Sequence, residues 1–161
     1  MTLTVEDKAA QDALRTRQGL GARYDAAAAP HDDLLQARRN TAQFARVLNE
    51  TGDHDLTDTR RRIIAEVSYD ARACATALEE IGGTADPYPL HDAIAQGVTL
   101  PPRALRALFQ HSEIHLNVTW RDLSDADWTK FVPLNTGQIA VRDTPKLRAA
   151  FLARATKALI Q

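Results

Sequence analysis

The longest segment with helical periodicity runs from residue 103 to residue 128, and it constrains the fold more than any other part of the sequence. Its apolar and small residues recur at steps of three and four, as on one face of an amphipathic helix. This face comprises Leu105, Leu108, Phe109, Ser112, Leu116, Thr119 and Leu123. Pro101 and Pro102 come just before it, and proline fits the first turn of a helix. We therefore predict one long helix here, which forms a wall of a central site.

Three other segments predict long helices that can cover this face, at 31–50, 59–82 and 144–160. Glycines follow the first two segments and favour helix ends, while Thr144 and Pro145 favour the start of the last. The predicted buried residues are Leu34, Ala37, Thr41, Phe44 and Leu48, then Ile63, Val67, Ala71, Cys74, Leu78 and Ile81, and finally Leu147, Phe151, Ala155 and Leu159. Four long amphipathic helices make a four-helix bundle.

Shorter patterns predict small additions to this bundle. Residues 131–134 and 138–141 read as strands on either side of a turn that contains Gly137, which predicts a β-hairpin. Pro133 confines its strand to a sheet edge. One helical turn is expected at 90–96, and Ser124 is placed to cap another short turn that carries Trp128.

The chain divides into two parts by these patterns. Residues 1–29 are expected to form a peripheral helix, at 4–18, and a linker, and residues 30–161 form the bundle domain. The predicted fold class is therefore all-α: a four-helix bundle with a small β-hairpin insert and an extra N-terminal helix.

The overall composition argues against several classes of function. The 161 residues carry a net charge of -1 with both signs interspersed, whereas a nucleic-acid-binding face needs a basic excess. No apolar run reaches the length of a membrane span, and the N-terminus lacks the apolar core of a signal peptide. The single cysteine cannot form an intrachain disulfide. We expect a cytoplasmic protein that acts on a small molecule and binds neither nucleic acid nor membrane.

Two acidic residues and two histidines flank the buried faces of adjacent helices. Glu66 and Asp70 are four residues apart, as are His111 and His115, so each pair projects from one side of its helix. Carboxylates and imidazoles that are partly removed from water can exchange protons near neutral pH. We therefore expect these four as the catalytic residues of a metal-free pocket. The alternative is structural, with the carboxylates paired to arginines such as Arg38 and the histidines hydrogen-bonded in the core.

Several short motifs, in this order, resemble a known family. The most specific is the run from His115 to Leu123 (HLNVTWRDL) with Asp127 and Trp128 after it. Supporting matches are 35–45, 61–73, 99–102, Gly137 and Thr144-Pro145. From about residue 33 to residue 159 the chain resembles the N-terminal domain of mycothiol-dependent maleylpyruvate isomerase, a branch of the DinB-like metal-binding bundles. The resemblance implies a DinB-like four-helix bundle and isomerase chemistry.

The sequence departs from this family at the positions that hold its metal. The resemblance implies a divalent-metal site made by one histidine of the second helix and a glutamate–histidine pair of the last helix. These positions fall at Glu66, Phe151 and Ala155, and neither phenylalanine nor alanine can coordinate a cation. The resemblance covers only the N-terminal domain of the full isomerase and does not extend to its second domain. We therefore expect neither a bound metal nor a thiol cofactor.

Three functions follow as hypotheses, and the sequence does not decide whether the protein is an enzyme. The favoured one is a small-molecule enzyme of a biosynthetic pathway, catalysing an isomerisation, cyclisation or elimination by acid–base chemistry. The residues expected to contact its substrate are Arg38, Tyr88, Trp120 and Arg121. The second is a non-catalytic binding module that forms a homodimer. The third is a metal-dependent isomerase or transferase, with or without a thiol cofactor, whose relocated metal is held by His111, His115 and Glu66 or Asp70.

Overall fold

A computed structural model describes residues 26–83 and 87–161 of the protein. The elements in these ranges are α1 (His31–Glu50), α2 (Asp58–Glu79), α3 (Leu90–Gly97), α4 (Pro102–Asp122), α5 (Asp125–Trp128), β1 (Phe131–Leu134), β2 (Gly137–Ala140) and α6 (Thr144–Ile160). Single 3₁₀ turns precede α2 and α6. The predicted helix at 4–18 lies outside the described residues.

The four long helices form a bundle in which α2 packs along α4 and α1 packs along α6. Two apolar clusters fill its interior. One surrounds Phe44 and Phe109, whose ring centroids are 5.1 Å apart with the ring planes tilted by 48°. The other includes Trp128 and Val132, through which α5 and the hairpin join the core. The predicted all-α bundle with a hairpin insert is confirmed, and no helix in the two described ranges is long and apolar enough to cross a membrane.

Local sequence signals set the ends of these helices. Thr57 caps α2, because its hydroxyl accepts a hydrogen bond from the backbone N–H of Arg60 at 3.2 Å. Ser124 and Asp127 form a capping box at the start of α5. Pro102 occupies the first turn of α4, where its missing N–H costs nothing. These signals can be read in the sequence, so the predicted and observed helix ends agree closely.

The hairpin has a two-residue turn. Its antiparallel register pairs Phe131 with Ala140 and Leu134 with Gly137, which leaves Asn135 and Thr136 as the turn. Gly137 has a φ of 116°, a conformation that glycine adopts far more readily than residues with a Cβ atom. The predicted three-residue turn at 135–137 is therefore one residue too long, and Gly137 begins β2.

The buried face of α6 differs from the prediction. Leu147 is 49% exposed and Phe151 is half-buried, although both were expected in the core. The residues that α6 does bury are Thr144, Pro145, Arg148, Ala149, Leu152, Ala155, Thr156 and Leu159. Relative to the prediction, the helix is rotated about its axis: Arg148 points into the bundle, where Asp70 and the carbonyl oxygen of Val67 are its partners, and Leu147 and Phe151 line a cavity instead.

Candidate functional site

Two adjoining cavities lie between α2, α6 and the hairpin. The first has a volume of about 280 Å³ and is bounded by α2, α6 and the hairpin turn. The second, about 310 Å³, extends along α2 to the segment that contains Tyr88. Ala73, Leu134 and Asn135 line both cavities, so the two lie side by side, and they are referred to together below as the α2–α6 groove.

An ion pair between a buried arginine and a partly exposed aspartate forms the polar centre of this groove. The Arg148 side chain is only 4% exposed, and its Nη1 donates hydrogen bonds of 2.9 Å to Oδ2 of Asp70 and to the carbonyl oxygen of Val67. The Asp70 side chain is 44% exposed and lines the same cavity. The pair therefore ties α6 to α2 and holds the Asp70 carboxylate at the groove wall.

Behind this ion pair, a short polar chain fixes the start of α6. Nε1 of Trp120 donates to the Thr144 hydroxyl at 3.1 Å, and that hydroxyl donates to the carbonyl oxygen of Val141 at 2.7 Å. The same hydroxyl lies beside the thiol of Cys74, which forms part of the groove wall. Trp120 is thus a buried packing residue that positions the last helix.

The thiol of Cys74 is held in its neutral form. Burial raises its pKa from 9.0 to about 12, and the nearby carboxylate of Asp70 acts in the same direction, while Arg148 and the hydrogen bond with Thr144 act against it. The thiolate is the nucleophilic form of cysteine, so this residue contributes no nucleophile at neutral pH. The structure agrees with the expectation of a buried core cysteine.

Cys74 therefore predicts a pH dependence of stability. Between pH 9.0 and about 12 the folded state retains a proton that the unfolded chain has lost, so the free energy of unfolding falls as the pH rises. Near pH 10 the loss from this group is expected to be about 1 kcal/mol relative to neutral pH. Urea unfolding of the wild type and of Cys74→Ala across this range checks it, because the variant lacks this loss. Equal pH slopes for the two proteins would contradict the prediction.

A second titratable group, Glu113 on α4, is also perturbed. Burial raises the pKa of its carboxyl, and the Arg148 guanidinium opposes that effect. Glu113 makes no hydrogen bond to Arg148, so it lies within the electrostatic field of the ion pair without being part of it.

The structure does not join the four predicted catalytic residues into one cluster. Asp70 faces the groove, but Glu66 pairs with Arg62 one turn earlier on α2, at 2.9 Å. His111 is exposed. His115 pairs through Nε2 with Oε1 of Glu79, and its Nδ1 is enclosed without a partner among the described residues.

The contacts of His115 place it in a separate cavity on the other side of α2. This cavity, of about 410 Å³, is lined by Glu79, Thr119 and Asp122 among others. The Thr119 hydroxyl lies 3.2 Å from the Glu79 carboxylate and 2.8 Å from the carbonyl oxygen of His115. The imidazole of His115 is therefore held by Glu79, and it lines this cavity rather than the groove that Asp70 lines.

Of the four predicted substrate contacts, Tyr88 is the one that lines the α2–α6 groove. Burial raises the pKa of its phenol, the neighbouring Tyr69 acts in the same direction, and Arg72 opposes both. Arg38 is exposed on α1. The Arg121 side chain is 6% exposed, and its Nε lies 3.3 Å from Oδ1 of Asp122.

The residues present do not fit a metal centre of the kind that the family resemblance implies. Glu66 is engaged by Arg62, and Phe151 and Ala155 offer no ligand atom. Within residues 26–83 and 87–161, no three His, Cys, Asp or Glu side chains come together as a metal site would require. The relocated site built on His111 and His115 is therefore not formed in this geometry.

Three residues of these sites were missed from the sequence: Arg148, Glu79 and Glu113. A signal existed for Arg148, because it falls on a regular helical spacing with Leu152, Ala155 and Leu159. Such a position on a buried face requires a partner, and Asp70 was the acidic residue on the facing helix. For Glu79 and Glu113 the sequence carries no comparable signal.

The fold is similar to solved structures of one enzyme. A histidine-to-alanine mutant of mycothiol-dependent maleylpyruvate isomerase superposes with a TM-score of 0.74 at 28% sequence identity, over 80% of this chain and 60% of that chain. A second structure, of mycothiol-dependent maleylpyruvate isomerase, gives a TM-score of 0.70 at 31% identity over the same shares. No family model matches the sequence, and no curated protein is significantly similar to it.

These comparisons confirm the resemblance predicted from the sequence. The described bundle has the DinB-like helical fold of the maleylpyruvate isomerase structures. This chain spans about 60% of the length of the structures that it matches.

Proposed function

On the premise that the chain shares the DinB-like fold of mycothiol-dependent maleylpyruvate isomerase, we propose that it is a small-molecule enzyme of the isomerase kind. It works by proton transfer in the α2–α6 groove and needs no metal. The observation that carries the proposal is the Asp70 carboxylate, which Arg148 holds at the groove wall.

The hydrogen bonding of Asp70 suits a general base. Its Oδ2 accepts the hydrogen bond from Arg148, whereas Oδ1 has no hydrogen-bond partner among residues 26–83 and 87–161. A group that transfers a proton must be held in a fixed position, and it must keep one atom free to reach the substrate. Asp70 meets both conditions, so we assign it the transfer of a proton to or from a substrate carbon.

The rest of the groove suits a small organic substrate. Apolar side chains such as Leu134, Leu147 and Phe151 line it, together with a few polar groups such as Asn135. Sites for small molecules are typically concave, largely apolar and oriented by a few polar groups. Isomerisation, cyclisation and elimination all fit this arrangement, since each moves a proton on a carbon skeleton. A cytoplasmic location and a homodimer stay predictions.

A screen for turnover tests the proposal. The chelator-treated protein is incubated in D₂O with maleylpyruvate and a series of small 2-oxo and unsaturated acids, with and without mycothiol, and the reactions are followed by proton NMR. We expect conversion of at least one compound, or deuterium incorporation into it, without added metal. Failure on every compound, or activity that appears only with added metal, would favour the binding-module or the metal-dependent hypothesis instead.

A further inference from the structure

We propose that Arg148 is the anion-binding group of the α2–α6 groove, and that the free edge of its guanidinium holds the carboxylate of a small organic acid. This inference rests on the proposed function, because it names the class of substrate that the groove takes.

The protein uses only part of this guanidinium. Nη1 makes both of its hydrogen bonds, to Val67 and Asp70. Nε and Nη2 have no hydrogen-bond partner in the described part of the chain, and neither is sealed from solvent. A guanidinium has five N–H donors, so the donors on Nε and Nη2 remain available to a ligand. Nε and Nη2 together form an edge that matches the two oxygens of a carboxylate.

The charges of the groove's first cavity favour an anion. The charged side chains that line this cavity are Asp70, Arg148 and Arg154, while Glu80 lines the second cavity, so the positive excess is confined to the half that holds Arg148. The Arg154 guanidinium lies 6.0 Å from the centroid of the Phe151 ring, close to the cavity wall. A carboxylate bound in this half would lie near both guanidiniums and would be attracted by them, whereas a cationic ligand would be repelled.

The size and lining of the groove limit the rest of the ligand. Cavities of about 280 Å³ and 310 Å³ share a wall, so the groove holds a molecule of a few carbon atoms in each half. Leu134 and Leu147 line it with apolar surface, which suits a short carbon chain next to the carboxylate.

Arg148 also brings a positive charge close to the positions at which the family resemblance implies metal ligands. Phe151 and Ala155 cannot hold a cation, yet Arg148, one turn before Phe151 on the same helix, brings a permanent positive charge to the cavity. In this chain, therefore, the guanidinium of Arg148 supplies the positive charge that a metal ion would bring to the cavity.

The test is an NMR titration of ¹⁵N-labelled protein with glutarate, at constant ionic strength, that follows the Nε–Hε signals of the arginines. We expect the Arg148 signal to shift in a saturable way with glutarate and to stay unchanged with glutaramide, which has the same shape and no charge. Arg148→Lys identifies the signal by its loss, and it is expected to weaken glutarate binding at least about tenfold, because lysine keeps the charge and loses the paired donors. Arg39→Gln, an exposed arginine on α1, is the control and leaves binding unchanged.

The wild-type titration decides the inference even if Arg148→Lys does not fold. A wild-type Arg148 signal that glutarate does not move, or that glutaramide moves equally, overturns the proposal, as does unchanged affinity in Arg148→Lys. Failure of the proposed function looks different: glutarate would still bind at Arg148, but no compound would be turned over. Conversely, turnover restricted to neutral compounds would keep the function and refute the carboxylate site.

Discussion

Replacing Asp70 by asparagine is expected to lower kcat by about 100-fold or more on any compound that the protein converts, because the variant keeps the shape of the side chain and loses the base. The substitution retains an oxygen for the hydrogen bond from Arg148, so the bundle is expected to stay folded. Steady-state kinetics, with circular dichroism to monitor the fold, make the measurement.

Two further variants separate this assignment from the one made on the sequence. If Glu66 and His115 were general acid–base residues, as the sequence predicts, Glu66→Gln and His115→Asn would each lower kcat at least about tenfold. If proton transfer occurs in the α2–α6 groove, only Asp70→Asn lowers kcat, and the other two variants keep the wild-type rate. Glu50→Gln, an exposed carboxylate at the end of α1, controls for a general effect of charge. A wild-type rate in Asp70→Asn contradicts the proposal.

The aromatic pair Phe44–Phe109 is expected to make a large contribution to stability. Phe44 is 0% exposed and Phe109 is 2% exposed, and their rings are in contact between α1 and α4. Replacing either by alanine is expected to reduce the free energy of unfolding by about 3–5 kcal/mol, since it removes buried surface and leaves a cavity. In a double-mutant cycle the pair is expected to show a coupling of about 0.5–1.5 kcal/mol.

Phe131 provides the matched control for this experiment. It is the same residue type, but it is 62% exposed on β1, so Phe131→Ala is expected to change stability by less than about 0.5 kcal/mol. Urea unfolding of the wild type, the three single variants and the Phe44→Ala/Phe109→Ala double variant measures the difference. Losses of similar size for Phe131 and Phe109 would show that the described packing is wrong.

The bundle could be predicted because its helices carry explicit signals at both ends and on one face. Ser124 and Pro102 mark helix starts by chemistry that does not depend on distant residues. The core residues of α1 were predicted for a similar reason, since a polar outer face leaves one direction for burial.

The orientation of α6 could not be predicted in the same way, because two sets of residues on it have nearly helical spacing. Leu147, Phe151, Ala155 and Leu159 advance in steps of four, and each such step turns about 40° beyond a full turn. Arg148, Leu152, Ala155 and Leu159 alternate steps of four and three, which keeps them on one side. The first set is more apolar, so the sequence pattern predicts that it is buried, but the set that is buried includes a charged residue, Arg148, whose partner lies on α2.

The site was predicted only in part for a related reason. Asp70 could be singled out, since a carboxylate beside an apolar face needs an explanation. Its partner Arg148 is 78 residues away in sequence, and Glu79, the partner of His115, is 36 residues away. Such pairings depend on how the helices are rotated about their axes, which the periodicity of each helix alone does not fix.

The central claim is that the α2–α6 groove works without a metal, with Asp70 and Arg148 as its charged groups. The most direct test is elemental analysis of protein purified without chelators from cells grown with added zinc, nickel and iron. Because Phe151 and Ala155 offer no ligand atoms and Glu66 is paired with Arg62, we expect far less than one equivalent of any of these metals per chain. Close to one equivalent of zinc, nickel or iron that survives dialysis would contradict the account and return His111 and His115 to consideration as ligands.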